Sequence, residues 1–91
     1  MIGEYMKEVA RQAEREVESS GFRVARLGGA SLLMGTEPEW RFRITKDGNA
    51  DLFAVVAVSD KDLEADEVFA ARRFLNDVRV ALAKLKLKEQ S

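Results

Sequence analysis

Apolar residues recur along the last third of the chain at helical intervals. Val68, Ala71, Leu75, Val78, Leu82 and Leu85 follow one another at spacings of 3, 4, 3, 4 and 3, which marks one face of an α-helix. The stretch from about Leu63 to Lys88 holds no Gly and no Pro, so the pattern predicts a single unbroken helix. Phe69, Phe74 and Ala81 widen the seam. Glu64, Asp66 and Glu67 open the stretch and Lys84, Lys86 and Lys88 close it, an order that suits the helix dipole. About 26 residues make a helix of about 39 Å, whereas a strand of ~8 residues spans about 26 Å. The last turns, carrying Leu82, Leu85 and Leu87, are therefore expected to overhang the sheet and to need another neighbour.

The same period appears at the start of the chain. Ile2, Tyr5, Met6, Val9, Ala13 and Val17 share one face of a helix expected over residues 2–19. Its other face pairs opposite charges three residues apart, as in Glu4–Lys7 and Glu8–Arg11, which suits a solvated surface. Ser19, Ser20 and Gly21 end it, with Gly21 suited to a left-handed residue just beyond the helix.

Between the helices the period falls to two. Residues 22–27 (FRVARL) and 30–35 (ASLLMG) flank Gly28-Gly29, which reads as a β-hairpin. The single proline, Pro38, stands in the next connection, where it spoils no ladder. Residues 39–46 (EWRFRITK) alternate, Asp47-Gly48-Asn49 is a strong turn signal, and residues 50–58 (ADLFAVVAV) form a further strand. Ser59, Asp60 and Asp62 are three candidate caps for the closing helix. The order is α-β-β-β-β-α. The expected fold is α+β: a four-stranded antiparallel meander with N- and C-terminal helices on one face, in a single domain over residues 1–91.

The strand at 50–58 is apolar on both sides, and two helices cover only one face of such a sheet. A two-residue turn at Asp47-Gly48 pairs Phe42 with Phe53 and Trp40 with Val55. A three-residue loop through Asn49 shifts the pairing by one and exchanges the faces of that strand. In either register an apolar half-strand lies outside, beside Arg41 and Arg43.

Composition narrows the chemistry. The 91 residues are 46% hydrophobic and 34% charged, with a net charge of −1, no Cys and no His. Thiolate and imidazole ligands are therefore missing, and so is the usual general base. The carboxylates Asp47, Asp51, Asp60, Asp62, Glu64, Asp66 and Glu67 gather at a turn and at a helix start, where they serve turns and caps. Neither EF-hand nor phosphate-loop spacing occurs. No enzyme, metal or cofactor is expected. The charged N-terminus and the lack of a long apolar run argue against a signal peptide or a membrane span, so a cytoplasmic location is expected.

The expected function is a small non-catalytic protein-interaction module of adaptor, immunity or inhibitor type. It would bind a protein partner or form a homodimer through Arg41, Arg43, Leu82, Leu85 and Leu87. The alternative is weak nucleic-acid binding through Arg23, Arg26, Arg41, Arg43 and Lys46, which interleave with Trp40 and Phe42. Near-neutral charge and the alternation of rings and arginines across a strand make it the second reading. In element order alone, a helix, a meander and a closing helix resemble the double-stranded RNA-binding domain. That domain has three strands and a lysine-rich start to its second helix. Here the corresponding start is acidic, Glu64-Ala65-Asp66-Glu67, which argues against the same function.

Overall fold

The computed structural model describes residues 3–26 and 39–90. The elements are α1 (Glu4–Ser19), β1 (Arg23–Arg26), β2 (Glu39–Lys46), β3 (Asn49–Ser59), α2 (Asp60–Ala65) and α3 (Glu67–Gln90). Among the described residues the architecture is α+β, with an antiparallel sheet of three strands in the order β1-β2-β3. This corrects the expected four-stranded meander. β1 pairs with β2 directly, placing Val24 opposite Ile44 and Arg23 opposite Thr45. The inward side chain of Val24 thus meets an inward partner at once. The strand expected at 30–35, like Ile2, lies outside the described residues.

α1 forms as its pattern predicts, burying Met6, Val9, Ala10, Ala13 and Val17. Its end is a Schellman motif: Phe22 N donates to Val17 O at 3.2 Å and Gly21 N to Glu18 O at 3.0 Å. Gly21 takes φ 86°, a left-handed conformation that costs glycine little. Buried Phe22 and Val17 close the motif. The start of α1 has no side-chain cap of its own. Glu67 supplies it from the other end of the chain, its Oε2 accepting from Gly3 N at 2.9 Å and Met6 N at 3.0 Å. A carboxylate there satisfies orphan N–H groups and meets the positive end of the helix dipole.

The closing helix is not unbroken. Ser59 Oγ accepts from Asp62 N and caps α2; Asp66, extended at φ −160°, then interrupts the chain. Asp66 Oδ1 accepts from Phe69 N at 3.1 Å and caps α3. Neither Gly nor Pro was needed, because an Asp side chain competes for the backbone N–H groups that a continuous helix would use. Val68, in the first turn of α3, is exposed, and the helix buries Ala70, Ala71, Phe74, Val78, Leu82 and Leu85.

The core lies between the helices and the inner face of the sheet, where Phe42, Ile44, Leu52, Val56 and Val58 are buried. Phe42 and Phe74 meet edge to face, their ring centres 5.0 Å apart and planes at 87°, an arrangement that the ring quadrupoles favour. The expected overhang of α3 does not occur. Its 24 residues run for about 36 Å, and the 11 residues of β3 span about the same length. Leu82 and Leu85 are therefore core residues. The end of α3 is fastened to the β2–β3 turn by Lys88 Nζ donating to Asp51 O at 3.2 Å and by an ion pair between Lys46 and Glu89.

Arg79 of α3 binds Glu16 of α1 in a two-pronged pair, both bonds 2.8 Å. This pair holds the Glu16 carboxyl below its ordinary value of 4.5, against a smaller opposing effect of burial. A depressed carboxyl stabilises the fold above its unfolded pKa and loses that contribution as pH falls through the folded one. Glu16→Gln should therefore lower the urea midpoint at neutral pH. The gap from wild type should close as pH falls below 4.5; a gap independent of pH would show that the charge does not matter.

Candidate functional site

Which side of β3 faces outward is decided at the β2–β3 turn. Lys46 pairs with Asn49 across a two-residue turn, yet the next residue back, Thr45, pairs with Phe53. Ala50, Asp51 and Leu52 thus have no partner on β2. Gly48 at φ 81° permits the turn. Asn49 Oδ1 then accepts from Asp51 N at 3.2 Å, a local bond typical of Asn in tight loops. An odd number of extra residues exchanges the two faces of a strand. The turn is the two-residue type, and the bulge behind it reverses the faces that such a turn alone would give. Phe42 lies opposite Val56, not Phe53.

The outer face follows from the register. Arg23, Thr45 and Phe53 form one row, Ala25, Arg43 and Val55 the next, and Arg41 with Ala57 a third. Phe53 is 55% exposed and Val55 52%, although large apolar side chains usually go inside. Arg43 lies 6.0 Å from the Phe53 ring centre, within cation–π range. Arg23 pairs with Asp47 at 3.0 Å.

The residues singled out from the sequence divide accordingly. Arg41 and Arg43 share the outer face with Phe53, Val55 and Ala57. Leu82 and Leu85 are buried in the core, while Leu87 is 68% exposed. Of the five cations of the nucleic-acid reading, Arg23, Arg41 and Arg43 come together on the outer face. Arg26 and Lys46 do not join them. Arg26 binds Glu14 of α1 at 3.0 Å and sits 6.0 Å from the Trp40 ring centre. Lys46 pairs with Glu89 and lies 5.0 Å from the Phe22 ring. The acidic start of the closing helix is spent on structure: Glu67 caps α1, Asp66 caps α3, and Asp62 binds Arg73 at 3.2 Å.

The sequence left open whether Phe53 and Val55 or their neighbours on the strand face outward. The doubly apolar strand showed that one half had to lie outside, but only the bulge says which. A smaller apolar spot, Val68 and Phe69, lies at the start of α3 beside Arg72, whose Nε donates to Tyr5 Oη at 3.3 Å. Among the described residues no cluster of acidic groups could hold a metal ion. No helix among them is long and apolar enough to cross a membrane.

No protein-family profile matches the chain, and no curated protein or solved structure resembles it significantly.

The register makes a direct prediction. Leu52→Ala should cost about 2–5 kcal/mol as a core truncation, and Phe53→Thr less than about 1 kcal/mol as a surface change. Urea unfolding of the two variants checks it; the opposite ranking would mean that β3 is turned the other way.

Proposed function

We propose that this chain is a small non-catalytic protein-interaction module whose contact surface is the open face of β2 and β3. The observation that carries the reading is the exposure of Phe53 and Val55 beside Arg41 and Arg43, all on a face that no described helix covers. Aromatic, aliphatic and arginine side chains on one rigid surface are the usual anchors of a protein interface. The strands hold these side chains at fixed spacing, so little ordering is required when a partner binds. The end of α3 contributes Leu87 alone, since Leu82 and Leu85 are committed to the core.

One observation favours nucleic acid as a second reading. Phe53 shares the outer face with Arg23, Arg41 and Arg43, so a ring and three cations stand on one surface after all. Single strands bind to such combinations of stacking ring and cationic groove. Against it, the one ring already has Arg43 near it and Arg23 is bound to Asp47. The described element order, a helix, three strands and closing helices, also matches the double-stranded RNA-binding domain more closely than four strands would. The acidic residues at the helix start, however, are engaged within the fold and would repel phosphates.

Two measurements test these readings. Immobilised wild-type chain and an R41E/R43E double variant with an unchanged thermal transition are presented to extracts of the source cells. A protein retained in stoichiometric amount by wild type should be lost from the variant; identical retention, or collapse of the variant's transition, overturns the sheet-face reading. Labelled single- and double-stranded oligonucleotides titrated at two salt concentrations should show no binding. Affinity that falls steeply with salt would transfer the face to the nucleic-acid reading.

A further inference from the structure

The edge of β3 borders the open face and shares Phe53, Val55 and Ala57 with it. Among the described residues β3 pairs with β2 on one side and with no strand on the other. From Leu52 to Ser59 it reads LFAVVAVS, without charge, proline or glycine. Those are the devices that keep an edge from pairing with another chain. Consecutive residues Phe53 to Ala57, which point to both faces, line a groove of about 420 Å³ together with Asp77, Val80, Ala81 and Lys84 of α3. A groove walled by successive residues of a strand runs along its edge. Val80 on its floor is 44% exposed.

We propose that the occupant of this groove is the β3 edge of a second copy of the chain, antiparallel to the first about a two-fold axis near Val55. The charges beside the groove single out this partner. α3 runs antiparallel to β3, since Lys88 near the end of the helix reaches Asp51 near the start of the strand. Lys84 therefore lies toward Phe53 and Asp77 toward Ala57. A two-fold axis at Val55 brings the Phe53 end of one copy to the Ala57 end of the other. Lys84 then faces the partner's Asp77, and Asp77 the partner's Lys84, with Val80 against Val80 between them. The side chains of Asp77 and Lys84 have no hydrogen bond or ion pair among the described residues, and they stand about two helical turns, or about 10 Å, apart. The stripe Asp77–Val80–Lys84 is thus complementary to itself under the symmetry that most oligomers adopt. Strand pairing would extend the sheet to six strands, with main-chain bonds giving affinity and the side-chain stripe fixing register.

The test is molar mass by sedimentation across micromolar to millimolar concentrations. Wild type should have twice the mass of one chain. Asp77→Lys and Lys84→Asp, each placing like charges at both contacts, should each weaken the dimer by at least about tenfold. Mixing the D77K and K84D chains puts opposite charges at both contacts and should restore a mixed dimer. Arg43→Glu, on the open face, should leave the dimer unchanged, so the sheet-face reading can fail without this one and the reverse. A wild-type monomer at all concentrations, a dimer indifferent to both α3 substitutions, failure of the mixture to recover, or dissociation by Arg43→Glu alone would each overturn the proposal.

Discussion

Three residues of β3 without partners on β2 determine what this molecule presents to its surroundings. Because side chains alternate along a strand, an odd excess exchanges the faces of everything downstream. Ala50, Asp51 and Leu52 are that excess. They send Leu52, Val56 and Val58 into the core and leave Phe53, Val55 and Ala57 outside with the arginines of β2. The bulge is held from two sides, by Asn49 within the turn and by Lys88 from the end of α3. Local turn chemistry and a long-range anchor agree on one register, where the apolar pattern of the strand would accept either.

The parts legible in the sequence are those where one signal had one meaning. The seam of α1, its glycine stop at Gly21 and the alternation of residues 39–46 each translated into structure directly. The closing helix was legible in its burial from Ala71 onward but not in its break. Asp66 is a residue that helix interiors tolerate, and only its side chain bonding to Phe69 N reveals it as a cap. The pairing of β1 was not legible either. Gly28-Gly29 suggests a hairpin locally, while the match of Val24 with Ile44 is a tertiary preference that no local pattern states.

The candidate site was half legible for a related reason. A strand apolar on both sides says that a patch exists without naming its members. Arg41 and Arg43 were legible as outward-facing because β2 has a single reading. Leu82 and Leu85 were misplaced because strand length was assumed short; a β3 of 11 residues gives α3 a full-length neighbour. Asp77 and Lys84 carried no signal at all until the strand edge came alongside them. Ordinary surface charges acquire meaning only from the symmetry of what they border.

The bond from Glu67 to the first turn of α1 bears on how the chain assembles. It joins residues more than 60 positions apart, so its formation closes a loop of about two thirds of the chain, an entropic cost that grows with loop length. Contacts of that separation form late, after local helices and the β2–β3 hairpin have reduced the search. An interaction absent from the folding transition state governs the rate of unfolding rather than of folding. A Glu67 bond made after the transition state acts as a latch: its loss would quicken unfolding and leave the folding rate unchanged.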